Sequence, residues 1–595
     1  MYKKLKALVS IFSKVEKRKL YQLQALVLIM TIFQIVSIAS FAPFISMISD
    51  VGVLERENRL SELYQMTGFT KNQFIQYVGL SVILLISISS FLSIRITWLL
   101  YSYSSKLGMR LSARLLKYYL SKNYLFHVSN SSSFLMKQVI IEARRVGDGI
   151  VTPMIQLISN SLFIIFVVIA LTFYKPMVTF FGGAVLLSVY LLIYTFTKNK
   201  IKANGQNITN KSMLRSKITL NSFGGVRDIL HMDKQYFFVK KFKTASDSFA
   251  RSQALNSTFS IFPKYLVELV ALGGVVLILI LFIQPGSDEF TQLIPVVVVF
   301  GLLLIKLIPA FQAVFGNLAK VKANLPAFDS LNEDFMEMDV DVSDSSTSGE
   351  LPFNDSIEVR NLHYKYPGER STVLNGMDFT IKKNSTIGLV GYSGSGKSTL
   401  ADILVGFLSL EEGEILVDGK ILTPENHKQF KRNIGFVSQS IFLLDASIRE
   451  NIAFGVEPDD IDEEKLMNSI KQASLEDLLK DLPKGINTEV GERGIQLSGG
   501  QVQRIAIARA LYTECEVLIF DEATSALDGI TEKNILDSIT SLQGTKTIIM
   551  IAHRLTTLTG CDTIFVLDKG KVDDSGNFEA LSKGNKIFKK MLKDE

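Results

Sequence analysis

Apolar positions along this chain keep two different rhythms. Before about residue 320 they run in long, nearly unbroken stretches, and after about residue 350 they follow the pattern of a soluble α/β domain. Six stretches stand out, near 20–48, 73–101, 150–173, 176–197, 254–284 and 289–316. Each can cross a bilayer as a helix, which takes about 20 apolar residues. The first is too long for a signal-peptide core, and no small-residue cleavage site follows it. The prediction is therefore a membrane domain of six helices. The loops between them are uneven: the turns around Tyr174–Pro176 and Gln284–Glu289 are short, whereas 102–149 and 198–253 are long.

Charge orients these spans. The long excursions carry Lys106, Arg110, Arg114, Lys117 and Lys122, then Lys198, Lys200, Lys202, Lys211, Arg215 and Lys217, and residues 1–19 are basic too. The positive-inside rule places these segments, and both termini, in the cytoplasm. Basic stretches that flank apolar spans argue against a nucleic-acid partner. Residues 331–350 (LNEDFMEMDVDVSDSSTSGE) are acidic and Ser-rich, a linker composition. The expected division is a transmembrane domain over 1–325, a linker over 326–351 and a soluble domain over 352–595. One segment between the first two spans, 51–69, has apolar residues near helical spacing with Glu55, Arg56, Glu57, Arg59 and Glu62 opposite. It reads as a short helix on the outer side, either lying in the membrane interface or solvated.

The 595 residues are 47% hydrophobic with a net charge of +6, which suits a chain that is only partly membrane-embedded. Two cysteines, Cys515 and Cys561, provide no disulfide framework and no zinc signature.

The soluble domain carries the candidate chemistry. The apolar run Ile387–Val390 leads into Gly391-Tyr-Ser393-Gly394-Ser395-Gly396-Lys397-Ser398, and a helix-like run opens at Thr399. This is a phosphate loop in its strand–loop–helix setting. Its glycines let backbone N–H groups surround phosphate oxygens at the positive end of a helix. Lys397 would reach the β- and γ-phosphates of ATP, and Ser398 would coordinate Mg²⁺. Downstream, Val517–Phe520 ends in Asp521-Glu522. Asp521 suits the Mg²⁺ side of such a site, and Glu522 stands where a general base can polarise water. Between them, Ser498-Gly499-Gly500-Gln501 precedes another helix and forms a second anion site. One nucleotide can use both sites if two copies of the chain pair head to tail.

This set closely resembles the ATP-binding cassette family over the whole of 352–595. By that resemblance, Tyr366 stacks on adenine, Gln439 senses the γ-phosphate and Mg²⁺, and Leu497–Gln501 is the signature. The loop Ser525–Asp528 couples the two sites, and His553 is the switch histidine. Val502 departs from the basic residue usual there. Six spans ahead of one cassette, with Thr488–Gly494, resemble a type IV exporter half that works as a homodimer. Coupling helices are then expected near 127–137 and 218–228.

Three basic residues interrupt spans: Arg95, Lys264 and Lys306. From the expected outer ends they lie roughly 32, 27 and 22 Å deep, toward the inner leaflet. They either snorkel to the interface, with Glu268 beside Lys264, or form a cationic collar for an anionic headgroup. With segment 51–69 and Pro263, these positions resemble the bacterial lipid-linked oligosaccharide flippases of protein glycosylation. That resemblance implies the bacterial cytoplasmic membrane and a polyprenyl-pyrophosphate oligosaccharide as substrate. A multidrug or lipid A-type exporter is the alternative. A soluble DNA-repair ATPase and an ATP-regulated channel fit less well, given the apolar spans and Glu522.

Overall fold

The computed structural model describes residues 2–49, 54, 59–174, 176–282, 288–338, 351–491, 494, 497–522, 529–552 and 554–594. The chain divides into two compact units, Met1–Lys122 with His127–Ser343, and Asn123–Phe126 with Asp344–Glu595.

The first unit is helical, and each expected span falls in a long helix: α1 (Lys14–Ala39), α2 (Lys71–Leu120), α3 (Thr152–Tyr174), α4 (Pro176–Gly224), α5 (Gln235–Phe282) and α6 (Asp288–Asp329). Among the described residues, three stretches are long and apolar enough to cross a membrane, namely Lys14–Ile48, Lys71–Leu120 and Ser132–Phe173. The first span breaks at Ser40, and a short helix, Phe41–Ser49, continues it. A capping box starts α1, with the Ser13 hydroxyl accepting from Glu16 N and the Glu16 carboxylate accepting from Ser13 N.

The basic excursions are largely continuations of the helices rather than loops. α2 has 50 residues and α4 has 49, about 75 Å each at 1.5 Å per residue, far beyond a membrane's thickness. Short helices interrupt them at Tyr124–Ser129 and Val226–His231. The first coupling-helix expectation, 127–137, overlaps the helix Tyr124–Ser129 and takes in a second short helix, Ser132–Lys137. Asn123–Phe126 groups with the second unit, and there the Tyr124 ring stacks on Phe407 at 5.1 Å. The second expectation, 218–228, spans the end of α4, and the break falls at Gly225.

Close backbone approach holds the helical extensions together. A Cβ on Gly205 of α4 would meet the Ala323 carbonyl of α6 at 2.4 Å. One on Gly147 would meet the Ser104 carbonyl of α2 at 2.8 Å, and the Ser104 hydroxyl donates to the Gly147 carbonyl at 2.6 Å. Between these contacts the chain forms two π-helical segments, Gln138–Glu142 and Gly147–Val151. The first carries the buried Glu142, which pairs with Lys137 at the end of the helix before it and with Arg145 in the helical turn after it. A short helix, α7 (Asn332–Glu337), is the last described helix of the unit. It is pinned to the end of α2, where Tyr119 donates to Asp334 at 2.7 Å and Lys122 pairs with Glu337 at 2.8 Å.

Outside the spans, the short helix Arg59–Thr67 matches the expected helix in 51–69. Tyr64 sits edge-on to Phe74 at 5.4 Å, while Leu63 and Met66 are exposed. The apolar face is thus split between packing on α2 and exposure. Residues 51–53 and 55–58 lie outside the described residues.

Among the described residues, the second unit contains ten strands in two sheets. β1 (Ser356–Tyr364), β2 (Leu374–Lys382), β4 (Glu412–Val417) and β5 (Lys420–Ile421) make an antiparallel sheet in the order β2-β1-β4-β5. β3 (Thr386–Val390), β6 (Ile434–Val437), β7 (Val517–Asp521), β8 (Thr547–Ile551), β9 (Thr563–Asp568) and β10 (Lys571–Gly576) make the other, in the order β10-β9-β3-β8-β7-β6. All pairings in the second sheet are parallel except β9 with β10. Strands β3, β7 and β8 are almost wholly buried apolar runs, as expected for a parallel sheet covered on both faces.

Candidate active site

In a parallel sheet, functional residues collect beyond the carboxyl ends of the strands. β3 ends at Val390 and the phosphate loop follows, β7 ends at Asp521, and β8 lies between them with Met550 beside both Gly388 and Phe520. The register thus brings residues far apart in sequence to one edge.

The loop's shape depends on its glycines. Gly394 and Gly396 have φ of +81° and +103°, a region open to glycine at little cost. A Cβ on Gly391 would lie 2.3 Å from the Leu567 carbonyl, and one on Gly396 would lie 2.5 Å from the Leu374 side chain. Ser393 and Ser395 lie between these glycines. The helix α8 (Lys397–Val405) begins directly after them and carries Ser398 and Thr399 in its first turn. The Lys397 ammonium folds back to donate to the carbonyls of Gly391, at 2.7 Å, and Tyr392, at 3.1 Å. Burial lowers its pKa, and the nearby Glu522 and Asp521 carboxylates oppose that shift. The buried Ser395 hydroxyl has no hydrogen-bond partner among the described residues. A ready cation, an unmatched hydroxyl and a glycine cradle fit a nucleotide polyphosphate.

Glu522 is held on two sides. Its φ is +53°, its N–H donates to the Ile551 carbonyl at 3.0 Å, and its carboxylate accepts from the Gln439 amide at 2.5 Å. Sequence reading placed Gln439 and Glu522 in one site but missed this bond, which spans 83 positions. The Tyr366 hydroxyl lies 3.2 Å from the Thr399 hydroxyl, so the aromatic is tied to the start of α8. Ser498 caps helix α9 (Gly499–Tyr512) in a reciprocal box with Gln501, and Gly500 is buried behind it. No hydrogen bond joins Ser498 to Lys397 within one chain among the described residues. His553, Asp528 and the rest of Ser525–Asp528 lie outside the described residues, as do Glu492 and Arg493.

Asp402, on α8, went unnoticed in the sequence. Its carboxyl is pushed up to about 6, by burial first and by Asp521 second. An unfolded chain titrates near 3.9. Because the folded value is higher, ionisation opposes folding: the cost is absent below about pH 4 and complete above about pH 6. Asp402→Asn should therefore raise the thermal midpoint at pH 7.5, with a smaller gain at pH 5. An equal gain at both pH values would assign the effect to something other than this carboxyl. Cys515 and Cys561 are buried with raised pKa values, Cys561 to about 12, so neither is a reactive thiolate.

Two of the three membrane cations lie near aromatic rings of their own helices. The exposed Arg95 lies over the Trp98 ring of its own helix at 4.6 Å, and Lys264 lies 5.8 Å from the Tyr265 ring. No ion pair joins Lys264 to Glu268 among the described residues. Lys306 falls in α6, and its side chain lies outside the described residues.

Fold and site together define an ATP-driven membrane transporter: a helical transmembrane domain fused to an α/β phosphate-loop domain. Residues 374–525 match the family described as ABC transporter, and residues 21–307 match the ABC transporter transmembrane region. The chain belongs to the ABC transporter family. It is 29% identical over 542 residues to an ATP-dependent lipid A-core flippase of Haemophilus influenzae, covering 87% of each chain. It is 30% identical over 479 residues to the ATP-dependent lipid A-core flippase of Pseudoalteromonas translucida, covering 79% of this chain and 80% of that one. A solved bacterial Atm1-family ABC exporter with ATP bound shares the fold, with a TM-score of 0.77, 21% identity and coverage of 98% of this chain and 99% of that one.

Proposed function

We propose that this exporter is an ATP-driven flippase for a saccharide-bearing lipid, of the lipid A-core kind, working as a homodimer in a bacterial cytoplasmic membrane with both termini cytoplasmic. The observation that carries this reading is likeness to lipid A-core flippases across the membrane and ATPase parts together. That likeness favours the lipid A-type alternative over a polyprenyl-pyrophosphate oligosaccharide, which rests on the scattered positions Arg95, Pro263, Lys264 and Lys306 with segment 51–69.

In this reading 1–325 is the transport domain, 326–351 the linker and 352–595 the ATPase. Bound Mg²⁺ would offset the charge of the ATP phosphates. Lys397, Ser393, Ser395 and the loop backbone from Gly391 would hold those phosphates, and Ser398, Gln439 and Asp521 would hold the metal. Tyr366 would face adenine, and Glu522 would accept the proton of the attacking water. Ser498–Gln501 and Asp528 of a second copy would complete the site, with His553 on the γ-phosphate.

The test is reconstitution in liposomes with ATP, comparing a lipid A-core glycolipid, a polyprenyl-pyrophosphate glycolipid and a neutral drug. Flipping of the first supports the proposal, and transport of the drug alone would refute it. Joint neutralisation of Arg95, Lys264 and Lys306 separates a cationic collar from snorkelling. If a cationic collar holds the headgroup phosphates, lipid-stimulated ATPase should fall severalfold while basal ATPase stays. Unchanged flipping would assign the three cations to snorkelling.

A further inference from the structure

Amide side chains are expensive inside an apolar span unless something uses them. Three of them, Gln34 on α1 with Gln156 and Asn160 on α3, line one cavity of about 260 Å³ between α1, α2, α3 and α6. Ser159 of α3 and Thr97 of α2 line it too, and Ser93 of α2 bonds to one of the amides. Gln156 and Asn160 lie about 9 and 15 Å from the 150 end of their span, and Ser93 lies about 12 Å from the 101 end of its own. All three therefore sit in the half of the membrane next to the basic excursions.

The hydrogen-bond inventory of this cavity is one-sided. The Gln34 amide donates to the Ser93 hydroxyl at 3.0 Å, and Ser93 donates onward to the Ser89 carbonyl at 2.8 Å. The Asn160 amide donates to the Gln156 carbonyl at 2.7 Å. The Gln156 backbone carbonyl can only accept, and the Ser93 proton is committed to Ser89, so these partners set which end of each amide is nitrogen. The Gln156 amide donates to Tyr101 at 3.2 Å. Each nitrogen is thus engaged, while none of the three amide oxygens has a partner among the described residues. Interhelical glue alone would leave neither three free acceptors nor a space worth several waters of about 30 Å³ each. Among the described residues neither Lys nor Arg lines the cavity, so it offers a phosphate no cation.

We propose that this cavity is a subsite for an uncharged, hydroxyl-bearing part of the transported lipid's headgroup, its hydroxyls donating to the amide oxygens of Gln34, Gln156 and Asn160. The proposal rests on the flippase reading and says which part of the substrate these helices recognise. It places sugar recognition away from Arg95, whose side chain does not line the cavity.

The test uses full-length protein carrying Gln34→Leu with Asn160→Leu, and separately Asn160→Gln, which keeps an amide oxygen. Binding of a fluorescent lipid A-core glycolipid and of an acyl-matched phospholipid without sugar is measured in detergent, and flipping of both in liposomes. The double variant should bind the glycolipid about tenfold more weakly, the ~1.4 kcal/mol expected for one or two hydrogen bonds. Its phospholipid binding and basal ATPase should be unchanged, and Asn160→Gln should retain most glycolipid affinity. Equal loss for both lipids, or no loss for the glycolipid, would overturn the subsite. Selective loss of glycolipid binding in a protein that flips no glycolipid would uphold the subsite and refute the flippase reading.

Discussion

Glu522→Gln is expected to lower ATP hydrolysis by roughly a hundredfold or more, the scale of a positioned general base, while leaving nucleotide binding intact. The backbone geometry supports this split. Glu522 stands one residue past β7, fixed by its N–H bond to Ile551 and by the Gln439 amide on its carboxylate. Glutamine keeps the size of the side chain and loses the proton-accepting oxygen. Lys397→Ala should behave differently, because it removes the buried cation of the phosphate loop, and both binding and turnover should fall. ATPase assays beside binding of a fluorescent nucleotide, on protein in nanodiscs, separate the cases. Turnover of Glu522→Gln above about a tenth of the parent would remove Glu522 from the role of base. Gln439→Ala tests the bond the structure adds: if that amide positions Glu522, turnover should fall severalfold with little change in affinity.

What the sequence disclosed here follows from how local each signal is. The phosphate loop and the strand ending in Asp521-Glu522 are contiguous, so glycine placement and apolar runs suffice to find them. The bond between Gln439 and Glu522 is invisible in sequence because it depends on β6 pairing with β7. The amide cavity escaped for the same reason: Gln34, Ser93 and Gln156 lie on three helices, and each alone is a stray polar residue in an apolar span. The membrane cations pose the opposite case. Spacing gave Arg95 and Lys264 a depth but not a direction, and each lies against an aromatic ring of its own helix. The long excursions looked like loops because their charge hides the helical continuation. Only backbone geometry reveals the π-helical turns that carry Glu142.

Glu142→Ala is expected to cost about 3–5 kcal/mol, the range for leaving one partner of a buried ion pair without the other. Glu142 is fully buried and Lys137 is 3% exposed. Lys137 Nζ lies 3.2 Å from one carboxylate oxygen, and Arg145 donates to the other at 2.8 Å. Without the carboxylate, Lys137 keeps a charge that neither water nor protein answers. Arg145 suffers less, because it also donates to Thr209 on α4 and Asn324 on α6. That asymmetry sets the control. Lys137→Met combined with Glu142→Leu removes the stranded charge and refills the space, so the double variant should unfold at a higher temperature than Glu142→Ala alone. Thermal unfolding at one scan rate, followed by size-exclusion fluorescence, makes the comparison. If the double variant is no better than the single one, the carboxylate matters through Arg145, as the clasp that joins π-helical Gln138–Glu142 to α4 and α6, and Arg145→Ala should then reproduce the loss.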